Sequence, residues 1–176
     1  MDPNHGCPYD ALKVFCNFTA GGTTCLDPLK PQKNMQWKPE KKSTSRLVSW
    51  FSQQHGGNKF DYAGLDVVQL RFLRLHSHSS FQHMTISCIA DLLSSRCTTN
   101  SVNKFFHILG NTDKEISSHF ITESRSGCVL ELVVRTVGST ELHCGDMELL
   151  PVRDVGFETG EALFNVTVVL GPLCFL

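Results

Sequence analysis

The chain has 176 residues, 41% of them hydrophobic, and 16 Lys and Arg against 17 Asp and Glu leave a formal net charge of −1. This is the length of one domain with enough apolar side chain for a core. Near-neutrality without a basic stripe lacks the electrostatic footprint of a nucleic-acid binder, and no apolar run reaches the length that spans a bilayer.

The chain opens with Asp2-Pro-Asn-His-Gly-Cys-Pro-Tyr-Asp10 and runs into Ala11-Leu-Lys-Val-Phe-Cys16. Asp2, Asn4 and Asp10 offer hard oxygen donors, and Gly6 with Pro3 and Pro8 holds a turn that lets the carbonyls of His5 and Cys7 point inward. Oxygen donors on a tight loop suit Ca²⁺. The spacing is not that of an EF-hand, because no Glu follows at the twelfth position. The same residues also read as an Asx-rich turn in which Asp10 caps a short helix over 10–15.

The Gly21-Gly22 pair breaks regular structure after that helix. Residues 26–46, rich in Pro and Lys, read as a long surface loop anchored by Trp37. Leu47–Phe51 reads as a short strand and His55-Gly-Gly-Asn58 as a turn. Asp66–Leu75 reads as a central strand, with Val68, Leu70 and Phe72 on one face. Met84–Leu93 continues apolar. Ser101–Gly110 carries Val102, Phe105, Phe106 and Leu109 at helical spacing, with Ser101 to cap it and Gly110 to close it. Cys128–Thr136 and Phe164–Leu170 alternate as strands, and the second alternation turns Asn165 outward. The fold class is α+β, mostly β, with long loops.

Cysteines stand at 7, 16, 25, 88, 97, 128, 144 and 174, with no C-x-x-C. An even, scattered set favours disulfides over zinc ribbons. Two sequons, Asn17-Phe-Thr19 and Asn165-Val-Thr167, agree with a secretory route and mark Asn17 and Asn165 as glycosylation sites. No signal-peptide pattern opens the sequence, as expected either of a segment of a longer secreted precursor or of a first Met that only marks where the sequence was cut. His76, His78 and His83 with Cys88 could be arranged as a metal cluster, since alternate strand residues face one way, but a cysteine in an oxidising compartment favours a disulfide. No G-x-S-x-G, H-E-x-x-H or P-loop occurs, so nothing demands an enzyme.

Asp2-Pro-Asn-His-Gly-Cys7, Asp10-Ala-Leu-Lys-Val-Phe-Cys16, Val67-Val-Gln-Leu-Arg-Phe-Leu-Arg-Leu75, Leu150-Pro-Val-Arg-Asp-Val155 and Gly171-Pro-Leu-Cys-Phe-Leu176 together resemble the C-terminal propeptide of fibrillar collagens. The block from Cys16 to Cys25 is most similar to the type V/XI branch. The resemblance spans the whole chain in order and is weakest at 26–60 and 92–127. It implies one domain over 1–176, with a calcium loop and short helix at 1–16 and a fibrinogen-like, disulfide-stapled petal at 17–176.

The family implies secretion into the extracellular matrix, trimerisation with other procollagen chains as homo- or heterotrimer, and registration of the triple helix. It also implies a structural Ca²⁺ held by Asp2, Asn4, His5, Cys7 and Asp10, with His5 and Cys7 using main-chain oxygens. The resemblance further pairs Cys25 with Cys174 and Cys88 with Cys128. Cys7 resembles the family's interchain cysteine, and Cys16 the partner of an upstream cysteine in a stalk that this sequence lacks. Cys97 and Cys144 are extra to the family's usual set and are left to bridge each other. Two alternatives stand beside this reading. One is a monomeric secreted fibrinogen-like binding module; the other is a metal-dependent enzyme in which His76, His78 and His83 converge.

Overall fold

A computed structural model describes residues 1–2, 6, 9, 11–19, 21–37, 48–89, 106–127, 129–138, 148–158 and 164–176, with the backbone alone at 35, 37, 88, 89 and 164. Its strands are β1 (Phe15–Asn17), β2 (Thr23–Leu26), β3 (Gln32–Trp37), β4 (Val48–Trp50), β5 (Ser79–Ile89), β6 (Phe106–Leu109), β7 (Ile121–Ser126), β8 (Val129–Val137), β9 (Asp154–Glu158) and β10 (Phe164–Phe175). Among the described residues one α-helix, α1, spans Val67–Leu75.

A seven-stranded antiparallel sheet is built around β10. Its order is β1-β2-β10-β5-β8-β7, with β3 also pairing to β10. β10 is long enough to hold two partners on one edge: Phe164–Val169 pair with β3, and Leu173–Phe175 pair with β2. Its other edge pairs with β5 on both sides of an irregularity between Leu170 and Leu173. The alternation expected in the C-terminal third is present. In β8, Leu132 and Val134 are buried while Glu131 and Arg135 face solvent; in β10, Val166, Val168 and Leu170 are buried while Asn165 is exposed. A period of two places one face of each strand on the core.

β4, β9 and β6 form a second, three-stranded sheet. Gln82 of β5 ties the two sheets together. Its amide donates to the Tyr62 hydroxyl (2.7 Å) and the Gly171 carbonyl (2.9 Å), and its Oε1 accepts from the Val152 N–H (3.0 Å) just before β9. A buried amide is tolerated there because its donors and acceptor have partners. Burial pushes the Tyr62 hydroxyl well above its ordinary pKa, against the opposing pull of the Gln82 hydrogen bond and the Arg153 charge, so it stays a neutral donor and acceptor. One apolar cluster runs through both sheets and α1, including Leu70, Leu73, Met84, Val134, Val155, Val168 and Leu173.

Four sequence expectations need correction. Residues 66–75 are a helix rather than a strand. Asp66 caps it, its carboxylate accepting from the Gln69 N–H at 2.7 Å, and Gln69, Leu70 and Leu73 are the buried positions. A short run with apolar residues on both sides satisfies both periods despite Gln69, Arg71 and Arg74, and the capping aspartate is the local signal that separates them. In the expected helix at 101–110, residues 101–105 lie outside the described residues and Phe106–Leu109 is a strand paired to β9. Gly110 does not end a helix: a Cβ there would collide with the Leu149 carbonyl. The expected loop at 26–46 contains β3, a polar strand recognisable only by its partner β10, while residues 38–47 lie outside the described part. Finally, Ala11–Val14 are not helical and Phe15 begins β1; Asp10 is outside the described residues. The strand at 47–51 is present as β4, and Gly56 sits in the expected turn at φ +76°.

Candidate calcium loop and exposed contact surface

The first residues are closed into a loop at their base. The Met1 amine donates to the Leu12 carbonyl (2.8 Å) and the Leu12 N–H donates to the Met1 carbonyl (2.6 Å). Leu12 holds this base down because its side chain is buried in the core. The adjoining β1 pairs with β2, and β2 is fixed to β10 by the disulfide Cys25–Cys174, as expected. The two cysteines stand directly opposite each other, with Cα atoms 4.1 Å apart. The disulfide therefore anchors the platform on which the loop rests.

Within the loop, Asp2 has a carboxylate oxygen, Oδ1, that is buried and meets no hydrogen-bond donor among the described residues. A buried acceptor left without a partner is costly, and more so when it carries charge. A hard cation is the chemical partner that would satisfy it. The donor chemistry of Asp2 thus fits Ca²⁺. Asn4, His5, Cys7 and Asp10 lie outside the described residues.

The histidine alternative is not supported by geometry. His76 follows α1, His78 and His83 are exposed, and the His83 ring packs edge-on against Phe81. Among the described residues no three His, Cys, Asp or Glu side chains converge on a point that could hold a metal.

The remaining cysteine and glycan positions divide as follows. Cys16 lies on β1 opposite Thr24, exposed and unbridged among the described residues. The side chain of Cys88, and Cys7, Cys97, Cys128 and Cys144 entirely, lie outside the described residues. Asn17 ends β1, and its Oδ1 accepts from the N–H (3.1 Å) and hydroxyl (2.7 Å) of Thr19. Asn165 is exposed on the outer face of β10.

A feature that periodicity alone missed is the outer side of α1. Val67, Val68 and Leu75 are 75%, 51% and 70% exposed, with Arg71 between them. The helix is apolar on both sides, one on the core and one on solvent. Arg74 fixes its position by donating to the carbonyls of Leu150 (2.6 Å) and Glu148 (3.1 Å). Its N-terminal approach lies beside the loop base, since Gly64 neighbours the Leu12 side chain. Tyr9, Phe15 and Phe18 add exposed aromatic surface on the loop and around β1. Several large apolar side chains exposed in one region can mark an interaction site.

Comparison with known families matches residues 1–175 to the model of the fibrillar collagen C-terminal domain.

Proposed function

Because the chain belongs to the fibrillar collagen C-terminal domain family, a structural and non-enzymatic one, we propose that it trimerises with other procollagen chains and sets the register of their triple helix. The family places the protein in the extracellular matrix. The observation that carries the association reading is α1, whose Val67, Val68 and Leu75 expose apolar surface that a folded monomer leaves wet. Burying such side chains contributes about 1.5–3 kcal/mol each when complete. The helix and the neighbouring N-terminal loop form the chain-contact surface.

Asp2, Asn4 and Asp10, with the main-chain oxygens of His5 and Cys7, hold a Ca²⁺ that draws the loop together and neutralises its carboxylates. The buried oxygen of Asp2 supports this assignment. Cys88 and Cys128 form a second disulfide, a reading supported by the β5–β8 pairing of their sequence neighbours Ser87 and Val129. Cys97 pairs with Cys144, Cys7 with a neighbouring chain, and Cys16 with an upstream cysteine. Asn17 and Asn165 carry glycans, and the Cys16–Cys25 block assigns the chain to the type V/XI branch.

Sedimentation equilibrium of the secreted, non-reduced protein tests this reading. The wild type is expected to trimerise with Ca²⁺ and to weaken on chelation, in Asp2→Ala, and in Val68→Glu/Leu75→Glu. A folded wild type that stays monomeric with Ca²⁺ at all concentrations overturns trimerisation. If that monomer still binds Ca²⁺, the solitary binding module takes its place.

A further inference from the structure

A charged group buried away from water is stable only when it is paired, hydrogen-bonded, or relieved of its charge. Lys33 of β3 is such a group, with its side chain only 7% exposed. Its ammonium donates to the carbonyl oxygen of Asn58 and to Asn58 Oδ1 (2.9 Å). It also lies 4.2 Å from the ring centroid of Phe60 and 5.0 Å from that of Phe51. These contacts are attractive, but they are neutral. Among the described residues no carboxylate comes within ion-pair distance of it.

The ammonium borders a cavity of about 150 Å³ that is also lined by Lys30, Asn58, Lys59, Phe60 and Asp61. The acidic groups nearby have other partners. Asp61 accepts from the Tyr62 N–H (2.9 Å) and faces Arg153 at 3.9 Å, while Asp113 takes Lys59 at 2.5 Å. Asp154, behind the ammonium, accepts from the N–H groups of Ser52 and Val155. Of the lysines lining the cavity, Lys59 is paired with Asp113, while the buried Lys33 and the exposed Lys30 have no ion-pair partner among the described residues.

We propose that this cavity is a binding site for a small oxyanion such as a sulfate group, with Lys33 as the buried anchor and Lys30 as the rim contact. Burial, with the Lys30 charge, brings the Lys33 pKa down to about 8 against the opposing attraction of Asp154. An anion in the cavity reverses that destabilisation, so binding and protonation of Lys33 are coupled. The ligand is bound by the ammonium and released as pH rises through the Lys33 pKa. The site is separate from the calcium loop and from the α1 surface, and its test does not depend on trimerisation.

The test is titration of the folded chain with inorganic sulfate, followed by thermal unfolding against chloride at equal ionic strength. A parallel arm uses glucosamine 6-sulfate, to separate a free ion from a sulfate carried on a sugar. The wild type is expected to be stabilised saturably by one of the two. Apparent affinity should fall by up to tenfold per pH unit above the Lys33 pKa, as one-proton linkage requires. Lys33→Met should weaken it at least tenfold and Lys30→Ala severalfold. Lys30→Ala alters only the exposed rim, so it keeps the test decisive if Lys33→Met fails to fold. A wild-type response to both sulfates no greater than to chloride overturns the proposal. So does a full sulfate response retained in the variants.

Discussion

Replacing both Cys25 and Cys174 by Ala isolates what the observed disulfide contributes. The bridge joins residues 149 apart. On chain entropy alone, closing a loop of that length restricts the unfolded chain by about 5 kcal/mol. A domain of this size is stable by only about 5–15 kcal/mol, so the loss removes a third or more of the total. It also has a local side. β2 pairs with β10 at only Leu26, Cys25 and Thr24, and β1 in turn pairs with β2. Without the bridge, this three-residue ladder is what ties β2 to β10, leaving Leu12 in the core as the other anchor of the loop base. Alanine is the appropriate replacement because Cys174 is buried and a hydroxyl there would need a partner. Equilibrium urea unfolding gives the global loss, and hydrogen exchange over residues 15–26 gives the local one. The expected result is destabilisation by about 4–5 kcal/mol, with β1 and β2 the first amides to lose protection. A loss below about 1 kcal/mol with exchange in β1 and β2 unchanged refutes the argument, since long-range closure would then contribute nothing.

Three further outcomes follow from the packing. The Lys33 pKa of about 8 lies below that of an exposed lysine, so the unfolded chain binds the extra proton and stability rises with pH between the two values. The gain is about 2 kcal/mol from pH 7 to 9.5, and Lys33→Met should flatten that part of the stability–pH curve measured by urea unfolding. Asp66→Ala removes the acceptor for the Gln69 N–H and should cost about 1 kcal/mol, read as a lower thermal midpoint with faster exchange in α1. Gly156→Ala places a methyl 2.6 Å from Val48 Cγ1 and 2.8 Å from Trp50 Cε3. Overpacking between β4 and β9 should lower stability by about 1–3 kcal/mol in the same unfolding assay; a neutral result would mean that β4 gives way freely.

How much of this was legible in the amino-acid order depends on the range of the interactions involved. The alternation in β8 and β10 is local, because a strand with one buried face carries its period in its own residues, and both strands lie where the pattern sets them. The Cys25–Cys174 pair followed from resemblance, whereas the oxygen-rich character of the first loop was read from its own residues, and of its candidate ligands Asp2 is the described one. The tertiary structure decided the rest. Residues 67–75 place apolar side chains on more than one side, with Gln69, Arg71 and Arg74 among them, so strand and helix periods both fit until Asp66 caps one and Gln69, Leu70 and Leu73 find the core. Phe106–Leu109 becomes a strand because β9 offers a ladder beside it, and Gln32–Trp37 because β10 extends far enough to hold it. The Lys33 cavity has no signature in the chain order, since Lys30 and Lys33 reach Asn58–Asp61 only through folding. Short segments lack the length to determine their own conformation. Partners distant in sequence supply the deciding free energy.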